Sequence, residues 1–292
     1  MNNKKYEESE LILTSKGKIY HLAASQEEVA ENIILVGDPN RVKKISKYFD
    51  KIEHKISNRE IVTHTGLYNN KRLSVISTGM GPDNIDIVIN ELDALFNIDF
   101  STREDKKKKT SLNLIRVGTS GALQENIPVE SYILSTHGLG IDGLLNFYAC
   151  RNNICEQDFE EAFIKHTSWD VRLGHPYIVH CSEKLIRKFD KQFLRGITIT
   201  AAGFYGPQGR QLRLKAAFPD LIDKYSSFTY KGENITNFEM ETSALYGLGK
   251  ALGHSTLTAC LIIANRITKK FCKDYHKPME KLILNVLDNI TK

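Results

Sequence analysis

The stretch Ile33-Ile34-Leu35-Val36-Gly37-Asp38-Pro39-Asn40-Arg41-Val42 sets the fold class. Its first four residues are apolar and rich in β-branched side chains. A short run of this kind, ended by glycine, reads as a strand buried on both faces. A helix start follows with no linker between them. Asp38 suits the N-cap, Pro39 the first helical position, and Val42 with Ile45 gives an apolar face. A strand that hands over directly to a helix is the building unit of α/β proteins.

The same alternation continues outward from this unit. Residues 60–65 and 72–77 alternate apolar and polar on either side of Tyr68-Asn69-Asn70-Lys71, which predicts a hairpin. From Asn84, the residues Ile85, Val88, Ile89, Leu92 and Phe96 recur at three and four, which predicts an amphipathic helix. Residues 112–117 read as a strand that runs into a glycine turn, Gly118-Thr119-Ser120-Gly121. Further strands are expected over 132–135, 177–180, 197–202, 235–240 and 257–264, with helices between and after them, the last over 278–290. No repeat and no Pro/Gly/Ser-rich linker interrupts the pattern, so one domain over 1–292 is expected, with a mostly parallel sheet. Residues 1–16 are expected to be a flexible extension. Residues 103–109 and 149–170 look like insertions, and the structure of the second is not legible.

The chain has 292 residues, 41% hydrophobic and 26% charged, with 40 Lys plus Arg against 35 Asp plus Glu. At this length roughly 75% of the unfolded chain's surface is buried on folding, so neither a metal nor a disulfide is needed for stability. The five cysteines (Cys150, Cys155, Cys181, Cys260 and Cys272) are odd in number and form no C-x-x-C pair. That pattern predicts reduced thiols in the cytoplasm and counts against a zinc site. The start, MNNKKYEESE, has no apolar stretch after its lysines and is not expected to be a signal peptide. The longest uncharged run, 252–265, falls short of the ~20 apolar residues that span a bilayer, so no membrane partner is expected. Residues 103–109 hold five bases and two acids and supply +3 of the net +5. With the remainder nearly neutral, no nucleic-acid face is expected, and the lysine run reads as a solvated loop.

Three strand ends carry glycine: Gly37-Asp38-Pro39-Asn40-Arg41, Thr78-Gly79-Met80-Gly81 and Arg116-Val117-Gly118-Thr119-Ser120-Gly121. In an open α/β sheet, ligands bind at the carboxyl ends of the strands, so these segments are expected to converge on one crevice. Backbone N–H groups at a helix start, with Arg41 one turn in, make a seat for an anion. Arg116 ends a buried strand and needs a partner, which a structural ion pair or an anion supplies. There is no P-loop and no G-x-G-x-x-G fingerprint. Phe204-Tyr205-Gly206-Pro207-Gln208-Gly209-Arg210 offers planar donors and acceptors suited to the edge of a heterocycle, beside an aromatic. Asn237-Phe238-Glu239-Met240-Glu241-Thr242 ends a strand and opens a helix, with acids able to accept from vicinal hydroxyls or simply favoured by the helix dipole.

The ordered set GDPNRV, STGMG, IRVGTSGA, FYGPQGR, FEMETSAL and ANR resembles the nucleoside phosphorylase family, and its Gln-x-Arg turn resembles the uridine phosphorylase branch. The resemblance runs from about His21 to the C-terminus. It implies a single-domain three-layer α/β/α sandwich around a central mixed, mostly parallel sheet, and phosphate-dependent, reversible cleavage of uridine to uracil and ribose 1-phosphate in pyrimidine salvage. Another nucleoside as substrate, or a nucleoside-binding protein without turnover, are the alternatives. Phosphate would be held by Gly37, Arg41, Arg116 and Thr119, with Arg59 from a neighbouring subunit. Ribose would be held by Glu241, Met240 and Thr119, with His21 from the same neighbour. Uracil would be read by Gln208 and Arg210, with Phe204 stacking and Gly121 beneath. Arg210, Gln208, Arg116 and Glu241 would be the catalytic groups. The resemblance also implies a dimer or a hexamer of dimers, no metal, and no cofactor beyond inorganic phosphate as co-substrate. Two departures stand out. Purine-specific relatives place an aspartate where this chain has Ala264-Asn265-Arg266, so the purine reading lacks its general acid. Bacterial uridine enzymes can hold a monovalent cation with a serine near the position of Asn84 and a glutamate matching Glu60, and Asn84 counts against that site here.

Overall fold

A computed structural model of the protein describes residues 5–189 and 192–292. Its strands in chain order are β1 (Asn32–Val36), β2 (Lys51–Asn58), β3 (Ile61–Tyr68), β4 (Lys71–Ser77), β5 (Ile98–Asp99), β6 (Glu104–Asp105), β7 (Asn113–Ala122), β8 (Tyr132–Gly140), β9 (Tyr177–His180), β10 (Leu194–Thr200), β11 (Thr229–Tyr230), β12 (Glu233–Glu239) and β13 (Ser255–Asn265). The helices are α1 (Pro39–Ser46), α2 (Pro82–Asn97), α3 (Arg151–Ile154), α4 (Gln157–Thr167), α5 (Glu183–Ile186), α6 (Leu221–Ser227), α7 (Thr242–Ala251) and α8 (His276–Thr291).

The central sheet is mixed and runs β11-β12-β10-β8-β13-β7-β1-β4-β3-β2, with β9 on β8. β1 lies between β4 and β7, parallel to both. That placement explains the unbroken apolar run Ile33–Val36, since a strand flanked on both sides and covered on both faces has no polar face to show. At the other half, β7 also pairs antiparallel with β12 through Gly121 and Ala122. Strands β12, β10, β8, β13 and β7 therefore close on themselves. β3 and β4 form the expected hairpin across Asn69-Asn70, both with positive φ (49° and 58°), the backbone that a two-residue turn with native twist requires. β2 pairs antiparallel with the outer edge of β3 and was not expected. Its sequence, Lys-Ile-Glu-His-Lys-Ile-Ser-Asn, is charged enough to blunt an edge.

Gly118–Gly121 is strand rather than the expected turn. β13 pairs with it through Leu261↔Thr119 and Ile262↔Ser120, and β12 through Phe238↔Gly121. Tertiary pairing on both edges overrides the local glycine signal.

Helices cover both faces. α7 is buried from Thr242 to Gly249 and packs on α2, β8 and β13. α8 buries Met279, Leu282, Ile283, Val286 and Leu287, the face its periodicity predicts. A second apolar cluster joins Phe159 and Phe163 of α4, Tyr225 and Phe228 at α6, and Phe238 of β12. The 149–170 insertion thus folds as two helices, and α4 contributes its aromatics to that cluster.

The lysine run is not simply a solvated loop. Lys106 donates to Phe96 O (2.9 Å) and Lys109 to Asn97 O (3.1 Å), two carbonyls at the C-terminal end of α2. Cations there satisfy orphan carbonyls and oppose the negative end of the helix dipole. Residues 5–16, expected to be a flexible extension, are docked on the same insertion. Lys5 bridges to Glu104, Arg103 donates to the carbonyls of Tyr6 and Glu7, and Leu11 is buried in the main core. Residues 1–4 lie outside the described residues. No helix among the described residues is long and apolar enough to cross a membrane.

Candidate active site

A cleft of about 810 Å³ opens at the carboxyl ends of β1, β4, β10, β12 and β13 and along the last third of β7. It is lined by Gly37, Arg41, Gly79, Met80, Arg116, Thr119, Gly121, Phe204, Gln208, Arg210, Met240 and Glu241 together. The three glycine segments meet there. A Cβ added to Gly37 would stand 3.2 Å from Gly79 O, so the first two turns touch backbone to backbone. Asp38 caps α1 by accepting from Asn40 N (2.9 Å), which aims the free N–H groups of the first turn at the cleft.

Arg41 is buried and donates to Val117 O at 3.2 Å. Burial and the nearby Arg116 push its guanidinium below the ordinary arginine value, the signature of a cationic pocket short of anions. Arg116 is also buried. It pairs with Glu241 and lies 3.2 Å from Glu239 Oε2. Burial disfavours its charge, but the two carboxylates outweigh burial and hold it above the ordinary value. Glu241 accepts from Gly81 N at 2.9 Å, and Gly81 has φ 101°, a conformation that favours glycine. Burial pushes the Glu241 carboxyl up to about 7, with Arg116 opposing and Glu239 adding to the rise. Glu239 accepts from the backbone N–H groups of Glu241 and Thr242 and from the Thr200 hydroxyl. It fixes the start of α7 and with it the position of Glu241.

The other end of the cleft is cationic and aromatic. Arg210 lies 3.8 Å over the Phe204 ring and donates to Phe204 O (2.8 Å) and to the Gln208 amide oxygen. Burial, reinforced by Arg266, pushes it down to about 10. Phe204 was expected to stack on a base, but here Arg210 occupies a face of its ring. Arg266 donates to Gln208 O (3.0 Å) and, like Arg210, stands 5.6 Å from the Phe238 ring. Asn265 is spent on the backbone, donating to Gln124 O and Ile127 O and accepting from Ile267 N and Thr268 N.

His21 and Arg59 do not line this cleft. They lie together elsewhere on the surface, where Asn58 donates to His21 O (2.9 Å) and Arg59 stands 5.8 Å from the Tyr20 ring. The His21 imidazole is held by Glu91 of α2 at 2.6 Å. Arg59 has a left-handed backbone (φ 54°), a strained state for a non-glycine residue. Asn84 donates to Met80 O (3.1 Å), so an amide N–H rather than an oxygen faces the Gly79 turn.

Sequence reasoning missed Arg266, Phe238, Lys269 and Lys270, all of which line the cleft, and offered Glu239 as an acceptor for hydroxyls where it instead holds Arg116 and the start of α7. Arg266 and Phe238 stood inside motifs already singled out. The signal that could have found Phe238 is its place at the carboxyl end of β12, where ligands of open α/β sheets bind.

A family model described as the phosphorylase superfamily matches residues 31–287. A uridine phosphorylase from Thermococcus kodakarensis is 31% identical over 92% of this chain and 85% of its own length. A DeoD-type purine nucleoside phosphorylase from Clostridium perfringens is 30% identical over 85% of this chain and 87% of its own. The crystal structure of a Trypanosoma brucei nucleoside phosphorylase, described as showing uridine phosphorylase activity, superposes with a TM-score of 0.84 at 30% identity. It covers 96% of this chain and 99% of that one.

Proposed function

The chain belongs to the phosphorylase superfamily, and within it we propose that it is a uridine phosphorylase, taking uridine and inorganic phosphate to uracil and ribose 1-phosphate, reversibly, in pyrimidine salvage. The observation that carries the base assignment is the division of charge in the cleft. Of the lining carboxylates, Glu239 and Glu241 are gathered around Arg116, and Asp38 and Glu60 belong to the Gly37 and Gly79 turns, while among the described residues no acid pairs with Arg210 or Arg266 at the Gln208 end. A purine leaving group calls for a proton donor at the ring, and Asn265 is committed to backbone bonds. A uracil leaving group calls for a site that accepts negative charge, and two guanidiniums beside a buried glutamine amide supply it.

The chemistry assigned to the cleft follows. Arg41, Arg116 and the Gly37 turn orient the phosphate, one of whose oxygens bonds to the anomeric carbon as the carbon–nitrogen bond to the base breaks. The bonding pair leaves with the base, whose charge Arg210 and Gln208 stabilise, and the base then takes a proton from solvent. Glu241 and Met240 hold the sugar. Positioning and fixed charge do the work, with no covalent nucleophile. His21 and Arg59 serve the neighbouring subunit's site, which makes the active species at least a dimer. The five free thiols fit a reducing, cytoplasmic setting.

The test is release of free base from uridine, thymidine, inosine and adenosine, each with and without phosphate. Phosphate-dependent cleavage of uridine is expected. Cleavage of the purine nucleosides alone would overturn the base assignment, and tight nucleoside binding with no cleavage would overturn the enzymatic reading.

A further inference from the structure

Arg116 does not reach straight out from β7. Its guanidinium folds back over its own strand into the space left by Gly118, two residues on and on the same face. A Cβ at residue 118 would stand 2.0 Å from Arg116 Nη1 and 2.8 Å from Cζ. No positive φ at Gly118 demands glycine there. The space is taken up by the guanidinium.

In this position Arg116 spends its donors on groups other than phosphate. Nη2 bonds Glu241, Nη1 sits 3.2 Å from Glu239 and 3.6 Å from Cys260 Sγ, and the buried Nε has no partner. A buried, charged donor left unpaired is costly, so this arrangement is a compromise rather than the best one available to the side chain. Glu241 is in the same situation. The carboxylate assigned to the sugar hydroxyls is taken up by Arg116 and by the Gly81 N–H.

We infer that Gly118 is a positioning residue that lets Arg116 rest on Glu241, and that this resting pair couples the two substrates of the reaction. A ribose that takes Glu241 frees Arg116 for phosphate, and a phosphate that takes Arg116 frees Glu241 for the ribose. The first ligand to arrive breaks the pair and the second meets a site already open, so each tightens the other by the same factor. The inference rests on the phosphorolysis reading given above.

The experiment is calorimetric titration of inorganic phosphate into nucleoside-free protein, for the parent, Gly118→Ala and Glu241→Gln. The clash in Gly118→Ala is with the far end of a flexible side chain, so Arg116 swings out to relieve it. Both variants are expected to bind phosphate about tenfold more tightly than the parent, a factor worth about 1.4 kcal/mol. A purely structural role for either residue would weaken binding or leave it alone. Equal or weaker phosphate binding in both variants overturns the inference. If Gly118→Ala does not fold, Glu241→Gln alone decides, since the amide keeps the volume and the acceptor for Gly81. In the parent, the KM for phosphate should fall as uridine rises through its own KM, and independence of the two also overturns the coupling. The functional reading fails separately, through absence of phosphate-dependent uridine cleavage in the parent protein, whatever the resting position of Arg116.

Discussion

Arg210 takes part in several contacts at once. It covers Phe204, donates to the carbonyl of the same residue and grips the Gln208 amide, while no carboxylate pairs with it among the described residues. A cation kept without a counter-ion is poised for charge that appears only when a bond breaks. Arg210→Ala is expected to lower kcat/KM for uridine by about 10²- to 10³-fold with an unchanged melting temperature. A smaller effect than tenfold would place base recognition elsewhere. Glu241 sets the acid side of the profile. Its carboxyl is raised to about 7 in the folded protein, so below that pH it carries a proton and loses acceptor capacity for the sugar. The kcat/KM for uridine, which reports the free enzyme, should fall as pH drops through about 7. A profile flat from pH ~8 to ~5.5 would contradict that assignment.

Elements are tied to one another by a few charged contacts whose strength depends on solution conditions. His137 of β8 lies 3.4 Å from Glu156, just before α4, and 3.4 Å from Glu233, the first residue of β12, with the His180 ring of β9 against it. Burial works against its charge, but the two carboxylates win and push it up to about 9. A histidine raised on folding adds stability that is complete below about 6.5, its ordinary value, and is lost as pH rises through about 9. Since both carboxylates are partly exposed, the expected loss is on the order of 1 kcal/mol. Melting curves at pH ~6 and ~9.5 should differ by more for the parent than for His137→Gln. At the end of α2, replacing Lys106 and Lys109 with glutamine should cost about 0.5 to 1 kcal/mol each and leave turnover unchanged, whereas the same change at Lys107 and Lys108 should leave both stability and turnover unchanged. Urea denaturation monitored alongside the uridine assay distinguishes the two pairs. These ties were hard to see in the sequence. The Asp38-Pro39 helix start and the face of α8 were legible because capping and periodicity are local. β2 was not, because an edge strand with charges on it has the composition of a loop. Gly118–Gly121 was misread because two partner strands, both more than a hundred residues away, decide its conformation.

On the scale of the whole molecule, the cleft was legible as a convergence of glycine-bearing strand ends with Phe204 beside it, and Phe238 and Arg266 were not. What one chain leaves out of its own cleft is informative. His21 and Arg59 sit side by side on the surface, held by Asn58, Glu91 and Tyr20. If a neighbour's site uses them, Arg59→Ala and Arg210→Ala subunits, each inactive alone, should regain about a quarter of parental turnover when co-refolded, because half of the dimers carry one complete site of two. No recovery would mean that each chain works with its own residues only.

The position of β7 carries a further consequence. It lies between β1 and β13 and takes its last pairing from β12, so a growing chain that has just produced residue 122 has a strand with one edge unfilled. At ordinary translation rates the segment that completes it emerges on the order of 10 s later. Until then β7 offers unpaired backbone to any other strand in reach. Newly made copies of this protein are therefore expected to depend on chaperones over that interval, and crowded synthesis should favour misassembled chains over slow but correct closure.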